Sequence, residues 1–549
     1  MLNVFLKIMN FILLLLSVFL MGIALPNELL TFGSWPLGMI ALTPLYLALV
    51  LTKRRWGKAV LFGLWVAAVH IVSSFWLANF RDFAVFTIGA SSIAYFLLVL
   101  PFGAFFHETI VFANKDKKYL RPIAFAVIWV FWEWFKSNGF LAYPWGTVFM
   151  TTYSCKLLTQ IVDITGVWGI SFLIALFAGF LGEFILLLRD TERAVFLRTA
   201  KPVFRLGCFI IFLFAVVLSY GFFRLNEDVT PSKTLKTAII QPYNDSWDYS
   251  DIDGTLTFGI NLTDDLLKHN DDKPDLIVWS ENSLVYSYPL SMDYYILNPE
   301  VRPFRKMLIE NQTPILAGSP LPFANEDGTD DKNYQFFTNS VCLIGSNGDI
   351  LDSYSKIQLV PFAEYMPFVQ YKFVRNLFRK LVGFSSGFLP GKNYNAIDIK
   401  NSENENIRFI APICFEDAFA SLCATLHNTN KSELIINLTD DSWSNTKSAE
   451  YQHFVVAHFR SIELRTTMIR STNAGYSCVI DPWGNVIGDL PLFCSGGLFF
   501  EVPIYPHRQT IYSKYKDWFP LLCVGLLFLF AVSNTRFGCK VLRKNAKVK

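Results

Sequence analysis

The sequence contains few charged residues and lacks the markers of several protein classes. Asp, Glu, Lys and Arg make up 17% of the 549 residues, whereas hydrophobic residues make up 52%, a composition outside the range of ordinary soluble proteins. It has no glycine-rich phosphate loop and no internal repeat. The formal net charge is only +3 and comes mostly from short basic loops, so no nucleic-acid partner is indicated.

Cysteine is also sparse, and its spacing indicates no disulfide framework. The nine cysteines include no CxxC pair and no Cys/His spacing of a metal site. Four of them lie in or beside apolar segments, and the rest form an odd set, so at least one thiol there must stay free. Neither a metal nor another cofactor is predicted. The cysteines outside the apolar segments are Cys342, Cys414, Cys423, Cys478 and Cys494.

Long apolar runs are concentrated at the two ends of the chain. A helix needs about 20 mostly apolar residues to cross a bilayer, and no small-x-small cleavage site closes the first run, so we interpret it as an uncleaved helix. Eight transmembrane helices are predicted, near residues 4–25, 34–52, 57–79, 84–113, 121–136, 159–188, 205–225 and 517–535. Glu133 and Glu183 fall close enough to helix ends for us to expect them to reach the membrane interface.

These helices divide the chain into three regions. Residues 1–230 are predicted to form a transmembrane domain of seven helices, 231–510 an external domain, and 511–549 the eighth helix with a basic tail. Basic residues cluster after the second, fourth, sixth and eighth helices, and the other loops are nearly bare of them. Because such residues favour the cytoplasmic side, both termini are predicted to be cytoplasmic.

The external region alternates short β-rich runs with helix-length segments. Near-continuous apolar strands separated by helices predict a layered α/β domain, in which catalytic residues gather at strand ends. Helices are predicted over 256–268 and 449–464. The predicted strands cover residues 235–241, 275–281, 313–319, 339–345, 407–416, 433–439, 466–472 and 476–485.

Three reactive side chains lie at or near such strand ends. Glu281 ends "LIVWSE", Lys356 lies in "YSKIQLVPFAEYMPF", and Cys414 ends "IAPIC". Together they suit acyl transfer: a thiolate attacks a carbonyl, a carboxylate moves the proton, and an ammonium stabilises the oxyanion. The lysine is also expected to depress the pKa of the thiol. Each residue has an alternative interpretation: a capping carboxylate, a surface lysine and a buried cysteine.

The residues around this triad resemble a known family. "VWSEN", "YSKIQLVPFAEYMPF" and "PICFED" are similar to the Glu, Lys and Cys blocks of the carbon-nitrogen hydrolase, or nitrilase, superfamily. The second block, together with "EWFKSNGFLAYPWG" and "ITGVWGISFL" in the apolar half, resembles the membrane branch of that superfamily, the apolipoprotein N-acyltransferases. The resemblance implies an αββα sandwich of the nitrilase type joined to about eight transmembrane helices.

The resemblance also implies a function and roles for residues. A phospholipid would donate an acyl chain to Cys414 as a thioester, and the chain would then pass to the N-terminal α-amine of S-diacylglyceryl-cysteine on apolipoproteins, the last step of lipoprotein maturation. The enzyme would lie in the bacterial inner membrane with its catalytic domain in the periplasm. Cys414 would be the nucleophile, Glu281 the general base and acid, and Lys356 the oxyanion stabiliser. Supporting roles would fall to Glu364, which would hold Lys356 or the base, and to Phe415 and Glu416, which would shape the thiolate pocket.

Several further residues are candidates for substrate or lid contacts. The stretch that the family writes as Asn-Asp-x-Trp-Phe-Gly is "DDSWSN" here, which keeps Asp441 and Trp443 but loses Asn, Phe and Gly. In "PFVQYKFVRNLFRKLVGF", apolar and basic residues take opposite sides of a predicted helix. This helix is expected either to lie in the headgroup layer as a lid or to pack on the core of its own domain. The candidate substrate or lid residues are Trp247, Tyr365, Phe373, Leu377 and Trp443.

Two other functions remain open from the sequence. A membrane-anchored amidase would use the same triad with water as the acceptor, although a hydrolase of soluble amides would need no more than one membrane helix. A transporter or scaffold with an external domain is disfavoured by the scarcity of mid-helix charges and by the presence of all three reactive blocks.

Overall fold

The structure is a computed structural model that describes residues 2–79, 85–113, 118–139, 142–190, 196–245, 248, 250–297, 304–323, 336–361, 363–365, 371, 373, 376 and 387–534. The chain forms two compact units. The first, here called the helical unit, comprises Met1–Glu227, Thr446–Val455 and Tyr515–Lys549. The second, the sheet unit, comprises Asp228–Asn445 and Val456–Lys514.

The described helices are numbered in chain order. Those before residue 228 are α1 (Leu2–Ala24), α2 (Trp35–Ala41), α3 (Thr43–Leu51), α4 (Arg55–Ser73), α5 (Ser91–Phe112), α6 (Leu120–Lys136), α7 (Lys156–Thr159), α8 (Val162–Thr165), α9 (Val167–Asp190) and α10 (Phe196–Leu225). Those after it are α11 (Ile252–Lys268), α12 (Met292–Leu297), α13 (Phe304–Asn311), α14 (Ala420–Asn430), α15 (Lys447–Leu464), α16 (Ile511–Tyr515) and α17 (Trp518–Asn534).

Each predicted transmembrane segment overlaps a helix of the helical unit. By length and composition, five helical segments among the described residues can cross a membrane: Leu6–Ala24, Arg55–Ser73, Thr87–Val111, Val167–Arg189 and Ala200–Leu225. The apolar helices Trp35–Leu51 and Trp518–Val532 are shorter. Pro44 in the first turn of α3 lies where the second predicted segment is divided into two helices, since proline favours a helix start. A total of eight spans remains a prediction.

The two carboxylates expected to reach the interface are buried inside the helical unit. Glu133 accepts hydrogen bonds from the backbone N–H of Val148 at 2.7 Å and the hydroxyl of Ser171 at 2.6 Å. Glu183 accepts one from the hydroxyl of Tyr46 at 2.7 Å and pairs with Arg121 at 3.3 Å. Nearness to a helix end therefore did not predict their surroundings, because neighbouring helices supply the donors that water would give at an interface.

The described residues of the sheet unit form two six-stranded sheets. The strands of the first sheet follow the order β12-β1-β2-β3-β4-β5, and those of the second follow β11-β10-β9-β8-β7-β6. β1, β2 and β3 run parallel, as do β7, β8 and β9, and the other neighbours are antiparallel. The strands are β1 (Lys233–Gln241), β2 (Leu276–Val278), β3 (Ile315–Pro322), β4 (Phe337–Ile344), β5 (Ile350–Ser355), β6 (Ile397–Lys400), β7 (Asn406–Ile410), β8 (Leu434–Thr439), β9 (Thr467–Thr472), β10 (Cys478–Ile480), β11 (Val486–Asp489) and β12 (Gly496–Ile504).

The sheets meet face to face and carry helices outside. The hydroxyl of Ser471 in β9 donates to the carbonyl of Val278 in β2 at 3.3 Å, across the interface between the sheets. α11 and α13 pack their apolar residues on the first sheet in one core cluster that includes Ile260, Trp279 and Met307. On the second sheet α14 packs against β7. This arrangement agrees with the layered α/β domain predicted from the sequence.

The structure also shows which strands the sequence did not reveal. The predicted runs locate the inner strands, whose residues are almost all buried, such as β8 and β9. β5, β6 and β12 were not predicted, and the run 476–485 ends before β11 begins. These are the four edge strands of the two sheets. β5, β6 and β11 carry polar or exposed side chains, so they lack the continuous apolar pattern on which the prediction rested. β12 is mostly apolar and was missed all the same.

Candidate active site

Cys414 lies on a sharp turn just after β7. The chain leaves the strand at Ile410, pairs once more with β8 through Ile413 and Leu438, and enters a 3₁₀ helix, Cys414–Ala418. Cys414 has φ +49°, in the left-handed region, which costs a non-glycine residue about 1–2 kcal/mol. The side-chain amide of Asn437 donates to the carbonyl of Cys414 at 3.1 Å. Strain of this kind is found most often at functional sites.

Glu281 follows β2 in the opposite sheet and is buried. Its Oε1 accepts hydrogen bonds from Asn339 Nδ2 at 2.7 Å and Lys356 Nζ at 3.4 Å, and its Oε2 accepts one from the backbone N–H of Asp440 at 2.9 Å. Gly318 of β3 lies directly against it, since a Cβ there would come within 2.8 Å of the Glu281 Cα. Glycine thus permits the close approach of the two strands that places this carboxylate.

Lys356 comes directly after β5 and is fully buried. Its ammonium pairs with Glu364 at 2.8 Å and with Glu281 at 3.4 Å. Asn339, in β4, donates from the same amide nitrogen to Glu281 at 2.7 Å and to Glu364 at 2.8 Å. The far oxygen of Glu364 accepts the backbone N–H of Val360 at 2.8 Å. One ammonium and one amide therefore hold the buried carboxylate of Glu281 and the half-buried carboxylate of Glu364 together.

Burial and charge set the protonation of this group. Burial opposes the charge on Lys356, but the carboxylates of Glu281 and Glu364 outweigh it, so the pKa of Lys356 lies well above its ordinary value. Burial raises the pKa of Glu281, and Lys356 offsets only part of that rise. Lys356 therefore remains an ammonium, as an oxyanion stabiliser must, and Glu281 is a stronger base than an exposed carboxylate.

Lys356 lowers the pKa of the Cys414 thiol, as predicted, but it does not decide the net shift. Burial and the charge of Glu281 raise the pKa of Cys414 well above its ordinary value, and the opposing effect of Lys356 does not compensate. Its interaction with the thiol has the predicted sign but is outweighed by desolvation. The resting cysteine is thus a neutral thiol, so a nucleophilic attack by its sulfur would require the loss of that proton. The raised pKa of Glu281 suits that carboxylate to accept the proton.

Glu416 joins the two loops that carry Lys356 and Cys414. It is fully buried, and burial raises its pKa to about 7. Its carboxylate connects the segment after Lys356 to the residue before Cys414. Its donors are the backbone N–H groups of Ile357 at 2.7 Å, Gln358 at 2.9 Å and Ile413 at 2.8 Å, and the hydroxyl of Tyr354 at 3.1 Å.

For some of the other predicted residues the structure gives burial and packing. Phe415 is buried and packs edge-on against Phe419, with ring centroids 4.7 Å apart. Tyr365 and Trp443 are half-buried, and Phe373 is 77% exposed. Trp247, Leu377 and most of the predicted amphipathic helix lie outside the described residues. Their proposed contacts with substrate therefore remain predictions.

Two groups of the site were not found from the sequence. Asn339 was interpreted only as part of the run "NSVCLIG", although a polar side chain at a buried strand position needs hydrogen-bond partners and is therefore a signal. The backbone N–H of Asp440, which donates to Glu281, carries no side-chain signal at all. Within the described part of the chain, no group of three or more His, Cys, Asp or Glu residues is placed to hold a metal ion.

Comparison with known proteins covers both units. Residues 17–180 match the family model of the apolipoprotein N-acyltransferase N-terminal domain, and residues 236–504 match that of carbon-nitrogen hydrolase. The second match confirms the nitrilase-like fold class predicted for the sheet unit.

Curated relatives match over nearly the whole chain. Apolipoprotein N-acyltransferase 2 of Treponema denticola is 45% identical over 96% of this chain and 97% of its own length. The protein of the same name from Treponema pallidum is 41% identical over 93% and 92%, respectively. Apolipoprotein N-acyltransferase of Borreliella burgdorferi is 31% identical over 95% and 94%. The chain belongs to the apolipoprotein N-acyltransferase family.

Proposed function

We propose that the protein transfers a fatty acyl chain from a membrane phospholipid to the N-terminal α-amine of S-diacylglyceryl-cysteine on apolipoproteins. The observation that carries the proposal is the buried pair of Glu281 and Lys356 in a chain with Cys414 on a strained turn. Carboxylate, ammonium and thiol are the groups that acyl transfer requires. The apolar helices and the family membership support lipid substrates.

The donor half-reaction uses all three side chains. Glu281 takes the proton of the Cys414 thiol as sulfur attacks the ester carbonyl of the phospholipid. Lys356 stabilises the oxyanion of the tetrahedral adduct, because its ammonium keeps its charge at neutral pH. The carbon–oxygen bond to glycerol then breaks, and Glu281 returns the proton to the departing alkoxide. The products are an acyl thioester on Cys414 and a lysophospholipid.

The acceptor half-reaction uses Glu281 and Lys356 in the same roles, with Cys414 as the leaving group. The neutral α-amine of the apolipoprotein attacks the thioester carbonyl while Glu281 accepts its proton, and Lys356 again stabilises the oxyanion. The carbon–sulfur bond breaks, the amide forms, and Glu281 gives the proton to the departing thiolate. Glu364 and Asn339 hold Glu281 and Lys356 in register throughout, as their distances of 2.8 Å to Lys356 and 2.7 Å to Glu281 support.

The proposed placement follows from the lipid substrates. The family and the apolar helices make this a membrane protein. We infer that it is a multi-pass protein of the bacterial inner membrane, with residues 1–230 and 511–549 in or beside the bilayer and 231–510 on the periplasmic side. Both termini would be cytoplasmic, since the basic loops favour that side.

A reconstituted transfer assay tests the proposal. The full chain in vesicles of bacterial phospholipid would be mixed with a synthetic S-diacylglyceryl-cysteine peptide, and the products would be separated by mass spectrometry. We expect an N-acylated peptide and an equal amount of lysophospholipid, both lost in Cys414→Ala. Free fatty acid with no acylated peptide would instead support the amidase-type hydrolase, in which water accepts the acyl group. Intact lipid with the wild-type chain would refute the proposal.

A further inference from the structure

Arg470 is a buried cation that the triad does not use. It lies in β9, opposite Asn437 of β8 and Cys478 of β10, and it is fully buried. A guanidinium does not lose its proton in a protein, so Arg470 brings a permanent charge into the interior. Such a charge is costly unless carboxylates pair with it.

Its two partners flank the site from different segments. Nη1 of Arg470 donates to Asp417 Oδ2, and Nη2 lies 3.8 Å from Asp441 Oδ2. Asp417 belongs to the 3₁₀ helix that begins with Cys414. Asp441 follows Asp440, whose backbone N–H donates to Glu281. The guanidinium therefore connects the turn of the nucleophile to the loop that holds the general base.

We propose that Arg470 is a positioning residue that fixes the Cys414 turn against the Asp440 loop and offsets the negative charge of Asp417 and Asp441. The inference rests on the proposed function, because it assigns Arg470 to the same site. Nε of Arg470 has no hydrogen-bond partner in the described part of the chain. The single positive charge of Arg470 offsets part of the negative charge of its two carboxylates.

The charges around the thiol give the sign of the effect. Cys414 is influenced by Glu281, Glu364 and Asp441, which disfavour the thiolate, and by Lys356, which favours it. Arg470 interacts with Asp417, Asp441, Cys478 and Cys414 itself. Without Arg470, Asp417 and Asp441 would be left without this cation, and their negative charge would oppose formation of the thiolate.

The test compares three variants of the full chain purified in detergent. The rate of Cys414 alkylation by iodoacetamide is measured against pH, with the labelled peptide resolved by mass spectrometry so that other thiols do not interfere. Arg470→Gln removes the charge and Arg470→Lys keeps it. Arg460→Gln is the matched control, because Arg460 is also buried and paired with a carboxylate, Glu463, at 3.0 Å.

We expect Arg470→Gln to alkylate about tenfold more slowly at pH 7.5, which is the effect of raising the thiol pKa by about one unit. The rate should recover as the pH is raised. Arg470→Lys should stay within about threefold of wild type, because the charge remains. Arg460→Gln should lose stability but keep the wild-type profile. A folded Arg470→Gln protein with the wild-type profile would overturn the proposal.

A further variant, Asp441→Asn, tests the charge argument if Arg470→Gln does not fold. Asp441→Asn removes a carboxylate that disfavours the thiolate, so its alkylation should be faster than that of wild type. An unchanged or slower rate in Asp441→Asn would contradict the charge argument. Alkylation needs no lipid, so these outcomes are independent of acyl transfer. If wild type transfers no acyl group while the profiles differ as expected, the proposed function fails and the role of Arg470 stands.

Discussion

The two sheets contribute different chemistry to the same site. The first sheet supplies the charged groups, with Glu281 after β2 and Lys356 after β5, and Asn339 of β4 between them. The second sheet supplies Cys414, the proposed nucleophile, after β7 and, after β8, the backbone N–H of Asp440. Neither sheet holds a complete set of groups for acyl transfer. The site therefore forms only when the two sheets are packed together.

The electrostatics of the two sides differ as well. On the first sheet an ammonium lies between two carboxylates at 2.8 and 3.4 Å. On the second sheet the thiol is desolvated and neutral at rest. In the mechanism that we propose, proton transfer from the thiol of the second sheet to Glu281 of the first therefore starts the reaction. The following predictions separate the charges of the first sheet from the thiol of the second.

The largest effect is expected for Glu281→Gln. Loss of the general base should reduce acyl transfer by about 10³-fold. The charge of Glu281 raises the pKa of Cys414, so alkylation of the thiol at pH 7.5 should become faster in the same variant. The exposed Glu501 of β12, in the same sheet, gives the control Glu501→Gln, which should change neither rate. Slower alkylation in Glu281→Gln would contradict the effect of the Glu281 charge on the pKa of Cys414.

A somewhat smaller loss, with the opposite effect on the thiol, is expected for Lys356→Met. Removing the oxyanion stabiliser should reduce transfer by about 10²–10³-fold. Alkylation should also slow, because Lys356 is the charge that favours the thiolate. Lys236 of β1, whose ion pair with Asp272 is partly exposed, gives the control Lys236→Met. Equal rates of acyl transfer and of alkylation in the two lysine variants would contradict the role assigned to Lys356.

An intermediate effect is expected for Asn339→Ala. The amide of Asn339 lowers the pKa of Glu281 in part and connects it to Glu364. Without it, the pKa of Glu281 should rise, so the acidic limb of the pH profile for kcat/KM should move to higher pH. We expect about a tenfold loss at neutral pH. Asn347→Ala, in the exposed turn before β5, is the control, and an unmoved acidic limb in Asn339→Ala would refute this role.

The smallest effect is expected on stability, from Glu416→Gln. Burial raises the pKa of Glu416 from 4.5 to about 7, so the folded protein binds this proton more tightly than the unfolded chain. The stabilising contribution is complete below pH 4.5 and is lost as the pH rises to about 7. Gln cannot titrate, so the variant should lack this part of the pH dependence. The difference in melting temperature between the variant and wild type, measured by thermal shift, should therefore change between pH 4.5 and about 7. A difference that is constant over this range would contradict the assigned titration of Glu416.

The sequence singled out Glu281, Lys356 and Cys414 as candidates, but it did not reveal their surroundings. The apolar inner strands are evident from their composition. Glu281 and Cys414 end apolar runs of this kind, and Lys356 lies within a motif that resembles the family. Asp440 was not found because it acts through its backbone. The neutral state of the Cys414 thiol was not foreseen, because desolvation depends on the packing of two sheets from distant parts of the chain. Glu133 and Glu183 illustrate the same point, since only the folded helices reveal their partners.

The most direct test of the two-sheet account is the mass of the intact protein after incubation with phospholipid, without acceptor peptide. We predict that wild type gains the mass of one fatty acyl chain, that hydroxylamine removes it, and that Cys414→Ala gains nothing. Glu281→Gln should gain it only slowly, although its thiol is the more reactive toward iodoacetamide. Wild-type protein that gains no acyl mass and releases no lysophospholipid would contradict the account.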